Sequence, residues 1–297
     1  MTKFRRPTKA VISDAGFGSR FLPIVKSIPK SMLPLGSKPT MQYIVEECVR
    51  GGIEEIIIVA TPEGKPMYED YFSNPVKQIE ELLVSQGKAS RYDSVKEVLA
   101  FPKITVILQD PALPYGNGSP FASAKDLIDE DEAFFAIYSD DMIVGGEGMV
   151  KALMEEFDRR GGDLHALMGA QEVVGKEVEK YGVIQFKENS DEVDFMVEKP
   201  KMEEAPSFLA VYGRYILTPK IFKFLNNDET GKDKELWMTD AVSKLAGADG
   251  GVYAISASDG GIWCTTGDPE GWFMTQLRMV MEEGKFGDAV KDFVDGY

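Results

Sequence analysis

Histidine, cysteine and long apolar runs are almost missing from this chain of 297 residues, and each shortage excludes a class of function. A single histidine, His165, removes every mechanism that needs a histidine pair or a histidine-rich metal site. Two cysteines, Cys48 and Cys264, are too few for a disulfide scaffold or a zinc cluster and suit a reducing cytosol. No stretch approaches the roughly 18 uninterrupted apolar residues of a membrane span, so no membrane partner is expected. The apolar run behind the basic N-terminus breaks at Ser13 and Asp14, too early for the core of a signal peptide. Positive charge is also short: 33 Lys+Arg against 49 Asp+Glu leave a net −16, which argues against a broad nucleic-acid surface. What remains, 43% hydrophobic and 28% charged, reads as an ordinary soluble globular protein, and the exclusions together lead to the expectation of a cytoplasmic enzyme. A chain of this length buries about three quarters of its unfolded surface without disulfides or a structural metal.

The charge is unevenly placed. Residues 1–40 hold eight basic side chains (Lys3, Arg5, Arg6, Lys9, Arg20, Lys26, Lys30 and Lys38) and one acid, Asp14. A small cationic zone on an acidic body suits a small polyanion such as a nucleotide. Ala10-Val11-Ile12, Ile56-Ile57-Ile58-Val59, Ile104-Thr105-Val106-Ile107-Leu108 and Phe134-Phe135-Ala136-Ile137-Tyr138 read as buried strands separated by helices, the rhythm of a parallel sheet. One of those helices starts with Thr40 as N-cap and carries Met41, Ile44, Val45, Cys48 and Val49 on one face until Gly51 and Gly52 stop it. After about residue 165 the strands lie close together, at 181–186, 193–197 and 209–217, and helical patterns return at 219–226, 238–245 and 269–283. His165 reads as a strand residue without a chemical role, and Glu80 and Glu81 as the solvated side of an amphipathic helix. With no linker, repeat or low-complexity tract, residues 1–297 read as a single catalytic domain. The expected fold is α/β: a Rossmann-like, mainly parallel mixed sheet flanked by helices, with an additional smaller β layer. Ligands of such sheets sit outside the carboxyl ends of the strands, which points to the loops after Ile12, after Gln109 and at Asp140-Asp141.

The loop Gly16-Phe17-Gly18-Ser19-Arg20 follows the first strand. Its glycines let backbone N–H groups approach phosphate oxygens, and Arg20 adds a guanidinium fork. No Gly-Lys-Ser/Thr closes it as in a P-loop. Phe21-Leu22-Pro23 stands where a dinucleotide fingerprint needs its third glycine, which disfavours an NAD-dependent oxidoreductase. Pro23, Pro29 and Pro34 are expected to hold the continuation through Lys26 and Lys30 extended, lining one wall of a pocket.

From this long signature the chain resembles the sugar-1-phosphate nucleotidyltransferases over residues 9–281, and within them the bacterial uridylyltransferases that act on UTP and glucose 1-phosphate. The resemblance implies transfer of UMP to glucose 1-phosphate, giving UDP-glucose and pyrophosphate, with Mg2+ as cofactor and homodimers or homotetramers as the assembly. It places Ala15, Gly16 and Gly18 at the nucleotide. Arg20 and Lys30 fall on the triphosphate, with Lys26 as the extra lysine of the uridylyl branch. Gln109 reads the pyrimidine edge, with Gly116 of Gly116-Asn117-Gly118 beside the base. Asp140 is the metal-binding aspartate, and Arg20, Lys30, Lys199 and Asp140 form the catalytic set. Tyr181-Gly182-Val183-Ile184 and Val197-Glu198-Lys199-Pro200 resemble the sugar segments. There Glu198 bonds hydroxyls and Lys199 the sugar phosphate, joined by Gly182 and by Gly213 of Tyr212-Gly213-Arg214-Tyr215; Thr239-Asp240-Ala241 matches as well.

Bland readings stand beside these. Asp140-Asp141 also suits the cap of a helix near Met142, Glu198-Lys199 a solvated strand end, and Gln109 a solvated loop. Six positions depart from the family pattern: Asp14 replaces a small residue, Ser19 a threonine, Ser119-Pro120 a polar-Ala pair, Trp237 a glutamine, and Thr265 the aspartate that joins the metal. A neutral hydroxyl at Thr265 predicts weaker metal binding, and Asp14 must either point away from the phosphates or hold the metal. These departures keep two alternatives open: another nucleotide and sugar-phosphate pair such as dTTP, and a homologue that binds without turnover. In the last segment, 271–297, the residues Phe273, Met274, Leu277, Val280, Met281, Phe286, Val290, Phe293 and Val294 suit packing on a second subunit or on the chain's own domain.

Overall fold

Aliphatic and β-branched runs become strands almost where the periodicity places them. The computed structural model describes residues 3–256, 261–282 and 287–296, so Glu283 and Phe286 of the expected C-terminal patterns lie outside the described residues. In chain order the first part comprises β1 (Lys9–Asp14), the ribbon β2 (Pro34–Leu35) and β3 (Lys38–Pro39), α1 (Thr40–Arg50) and β4 (Glu55–Ala60). There follow α2 (Lys65–Ser73), α3 (Lys77–Ser85), α4 (Asp93–Leu99), β5 (Lys103–Leu108), α5 (Ser119–Ser123), β6 (Phe134–Tyr138), β7 (Asp141–Val144) and α6 (Met149–Arg160). The second part is strand-rich: β8 (Ala166–Glu172), β9 (Gly182–Phe186), β10 (Val193–Glu198) and β11 (Leu209–Leu217). It closes with α7 (Met238–Asp249), β12 (Val252–Ser256), β13 (Ile262–Thr265), α8 (Pro269–Glu282) and α9 (Gly287–Asp295).

Nine strands form the main sheet, in the order β10-β9-β11-β6-β1-β4-β5, with β8 between β11 and β12. The strands β6, β1, β4 and β5 run parallel, as do β8 and β12, while β11 is antiparallel to β6, β8 and β9. The register of β11 on β8 shifts between Val211 and Tyr215. Two small antiparallel sheets, β2-β3 and β7-β13, complete the mixed α/β architecture expected from the sequence. Alternate strand residues face opposite sides. Val11, Ile57 and Phe134 therefore pack with Met238, Val242 and Leu245 of α7 on one face. Ile12, Ile58 and Phe135 pack with α1 and α6 on the other, Cys48 among them. Parallel strands covered on both faces explain their unbroken apolar runs.

Several local expectations are corrected. Pro39 is the N-cap of α1, so Thr40 is already helical, and its buried hydroxyl has no hydrogen-bond partner. Residues 19–32 are not extended; they coil through 3-10 turns at Ser19–Phe21, Ile24–Lys26 and Lys30–Met32, because prolines fix φ at a value that tight turns share. Asp140-Asp141 caps no helix, since Asp141 opens β7. His165 lies just before β8, with Nε2 3.0 Å from the Lys220 ammonium. Glu80 and Glu81 sit on a helix, α3, with no buried residue: Ile79, Glu81 and Leu82 are exposed and Glu80 is half-buried. The pattern at 219–226 is only a 3-10 turn, Pro219–Lys223. Among the described residues no helix is long and apolar enough to cross a membrane.

Candidate active site

A cavity of about 630 Å³ opens where β1, β5 and β6 end, at the carboxyl edge that parallel sheets offer to ligands. One wall comes from the loops after β1 and β6: Ala15, Gly16, Arg20, Lys30, Asp140 and Asp141. Gln109, Gly116 and Asn117 form a second wall; Tyr181, Gly182, Glu198, Lys199, Trp237 and Thr239 form a third, and Thr265, Gly267 and Asp268 close the rim.

At the cationic end, the Lys30 ammonium bonds Asp140 Oδ2. Burial pulls the Lys30 amine down, but the charge and hydrogen bond of Asp140, with the charges of Asp14 and Asp141, together outweigh it and leave the amine raised. Burial likewise pushes the Asp140 carboxyl up, and Lys30 overcomes it, so Asp140 stays ionised below its ordinary value. Arg20 Nη1 reaches the Gly267 carbonyl at 3.4 Å. Asp141 faces the other way: its Oδ1 accepts from Trp263 Nε1 at 2.9 Å, and burial plus the charge of Asp140 push its carboxyl up to about 7. A Cβ on Gly267 would stand 3.0 Å from Asp140 Oδ2 and 3.3 Å from Thr265 Oγ1, so both oxygens lie beside Gly267 at the rim. Asp14 also borders the cavity, but its carboxylate is held by buried partners, accepting from Ser139 Oγ at 2.6 Å and from the Tyr68 hydroxyl. Burial raises the Asp14 carboxyl, with those bonds and the nearby Lys30 opposing it.

The remaining walls are built on close approaches. Gly116, at φ +144°, lies against the Leu236 backbone, and Leu236 bonds Tyr115 O and Gly118 N on either side, at 2.8 Å each. Asn117 Oδ1 accepts from the Met238 N–H at 2.9 Å, at the start of α7. Glu198 Oε2 accepts from the Thr239 hydroxyl at 2.6 Å, while Oε1 lies 3.4 Å from the Lys199 ammonium. Lys199 sits at φ +44°, with its ammonium 4.6 Å from the Trp237 ring centroid, a cation–π geometry. Gly182 packs so tightly that a Cβ there would stand 2.8 Å from Thr239 Oγ1.

Ten of the residues singled out in the sequence line this one cavity: Ala15, Gly16, Arg20, Lys30, Gln109, Gly116, Asp140, Gly182, Glu198 and Lys199. Three lie outside its lining. Gly18 packs beneath the Lys30 stem at φ +57°, Lys26 is exposed on the turn beyond, and Gly213 lies under the acidic corner, where a Cβ would stand 2.5 Å from Asp141 Oδ2. Sequence reasoning missed Tyr68, Ser31 and Ser139 behind Asp14, and the buried Arg214 that donates to the carbonyls of Tyr138 and Asp141. A carboxylate at the end of an apolar strand was the one signal for the first group. Arg214 offered only a charge inside the apolar run of β11.

A doubly covered parallel sheet whose strand ends present a glycine loop, clustered cations and an acidic corner defines an α/β nucleotide-handling protein. The chain belongs to the nucleotidyl transferase family, whose model matches residues 9–279. UTP–glucose-1-phosphate uridylyltransferase 2 of Staphylococcus saprophyticus is 37% identical over 293 residues, 98% of this chain and 98% of its own. The solved structure of a UTP-bound UGPase from Acinetobacter baumannii superposes with a TM-score of 0.82 at 27% identity, covering 97% of this chain and 98% of that one. A UDP-glucose pyrophosphorylase complexed with UDP-glucose gives 0.76 at 33% identity, covering 91% and 97%.

Proposed function

We propose that this protein transfers UMP from UTP to glucose 1-phosphate, releasing pyrophosphate and forming UDP-glucose, with residues 1–297 acting as one catalytic domain. The observation that carries the reading is the single cavity: Arg20, Lys30 and Asp140 stand at one end and Glu198 with Lys199 at the other, in a chain whose relatives are named for this reaction and bind UTP or UDP-glucose.

A phosphate oxygen of the sugar attacks the α-phosphorus of UTP in line, forming one P–O bond as the bond to pyrophosphate breaks. A phosphate monoester loses its second proton near pH 6, so the nucleophile is anionic without a general base, in keeping with a chain that has one histidine. Catalysis then rests on positioning and charge neutralisation. Lys199, held over Trp237 and beside Glu198, orients the sugar phosphate, and Glu198 offers its carboxylate to the hydroxyls. Arg20 and Lys30 hold the triphosphate, Lys30 leaving Asp140 for a phosphate oxygen when the nucleotide enters. Gln109 faces the uracil edge, and the backbone of Ala15 and Gly16 lies along the nucleoside.

The donors at the rim suit magnesium: a carboxylate and a hydroxyl, both hard oxygens, lie beside Gly267. Magnesium is commonly held by one or two carboxylates with substrate phosphates and waters. Asp140, aided by Thr265, is the residue we assign to it. When bound, it neutralises charge on the phosphates. Two unpaired cysteines fit a cytosolic location, and exposed Phe273, Met274 and Val294 on α8 and α9 suit a contact between subunits of a homo-oligomer.

The test is pyrophosphate release from UTP and glucose 1-phosphate, with and without magnesium, with identification of UDP-glucose. Magnesium-dependent UDP-glucose is the expected result. Silence with this pair and with other nucleotide and sugar-phosphate pairs would make the protein a binding homologue.

A further inference from the structure

Behind the Lys30–Asp140 contact runs a chain of buried polar groups. The Ser139 hydroxyl donates to Asp14 Oδ1 at 2.6 Å, the Tyr68 hydroxyl donates to Asp14 Oδ2, and Ser31 Oγ lies 2.6 Å from the Tyr68 oxygen. Since the phenol proton goes to the carboxylate, Ser31 is the donor in the last bond. All four side chains are shut away from solvent. They come from four places: the end of β1, the end of β6, helix α2, and the turn Lys30–Met32. The two ends of the chain, Ser31 and Ser139, are the covalent neighbours of Lys30 and Asp140.

A buried carboxylate, phenol and two hydroxyls cost free energy that apolar side chains of the same shape would not. Packing alone therefore does not account for them. Each bond is directional, and together they fix how far the turn bearing Lys30 stands from the corner bearing Asp140. α2 presses on the same turn from outside, since a Cβ on Gly64 would come within 3.1 Å of Pro29 Cγ. A misplacement of about 1 Å in such a site costs on the order of 100-fold in rate.

We propose that Ser31, Tyr68, Asp14 and Ser139 form a positioning relay that sets the Lys30 ammonium at the cationic end of the cavity, with Asp14 and Tyr68 as positioning residues for the reaction. The relay rests on the reading of that reaction given above, and it assigns Asp14, a residue foreign to the family pattern, to the support of Lys30 rather than to the cation.

A double-mutant cycle tests it. Tyr68→Phe is expected to lower kcat about tenfold, to leave KM for glucose 1-phosphate within about twofold, and to cost under about twofold in a Lys30→Ala background, because the two residues act as one unit. Ser31→Ala cuts the same relay at its far end and gives the same pattern if Tyr68→Phe fails to fold. Asp14→Asn keeps an acceptor for Tyr68 and an amide for Ser139, so it recovers most of the kcat lost in Asp14→Ala. Equal losses in both Lys30 backgrounds, or an unchanged kcat in folded Tyr68→Phe, would overturn the proposal. A second readout is independent of turnover: acylation of Lys30 by an N-hydroxysuccinimide ester, followed by peptide mass spectrometry. It is expected to speed up several-fold in Tyr68→Phe and Ser31→Ala, and an unchanged rate also overturns the relay. A wild-type protein that makes no UDP-glucose would sink the reaction reading alone, and the acylation rates would still decide the relay.

Discussion

Arg214 Nη2 donates to Glu47 Oε2 at 2.8 Å, joining two side chains that are 1% and 6% exposed and lie 167 residues apart. The other oxygen of Glu47 accepts the N–H groups of Met149 and Val150 at 2.9 and 3.1 Å, at the start of α6. Arg214 in turn donates to the carbonyls of Tyr138 and Asp141, the residues that bracket the cavity's acidic corner. Removing one partner of a buried pair leaves the other charge uncompensated. Arg214→Met is expected to destabilise the fold by about 3–5 kcal/mol, and Arg214→Met with Glu47→Leu to recover part of that loss, as read by urea unfolding.

The same pair predicts how stability responds to acid. Burial pushes the Glu47 carboxyl up, but Arg214 and the two backbone N–H groups outweigh it and hold the folded group below its ordinary 4.5. The stabilisation is fully present above the unfolded value and drains away as pH falls through the folded one. Between about pH 5 and pH 3, wild type should therefore lose more unfolding free energy than Glu47→Gln, in matched denaturation series.

Turnover should depend on the charges at the cationic end. Lys30→Ala and Asp140→Asn are each expected to lower kcat by about 100-fold or more, the usual cost of a lost transition-state charge partner. Steady-state assays of pyrophosphate release check this, and near-normal turnover in Lys30→Ala would remove Lys30 from the mechanism.

Thr265 offers a gain-of-function test. Thr265→Asp places a second carboxylate beside Gly267, on the same side of the rim as Asp140. The magnesium concentration for half-maximal turnover should fall about tenfold in a titration at fixed UTP. An unmoved midpoint would put the cation away from this corner.

Much of this was legible because the signals were local. Ile56 to Val59 and Phe134 to Tyr138 announced strands through unbroken apolar runs, and the strand-end rule pointed to Gln109 and Asp140. The prolines near Lys30 misled in one respect: they restrict φ equally in turns and in extended chain, so the tight 3-10 coil at residues 19–32 escaped notice. Thr40 has the chemistry of an N-cap, but the ribbon of β2 and β3 ends one residue earlier and starts the helix at once. Long-range partners left no local trace. Nothing near Tyr68 names Asp14, 54 positions away, and nothing in β11 names Glu47. A charged residue within an apolar run says only that a partner exists somewhere.

β1 precedes the other described strands in the chain, yet it occupies the interior of the sheet, between β4 and β6. Its loop carries Arg20 and Lys30, yet Asp140 follows Lys30 by 110 residues, and Thr265 waits on β13. On the ribosome this strand emerges before β4 and β6, its two neighbours, and the cavity gains its rim only once Thr265, Gly267 and Asp268 have been translated. A product terminated before β13 would therefore carry the glycine loop without a complete cavity, and activity would track chains that extend past Asp268 rather than total translated mass.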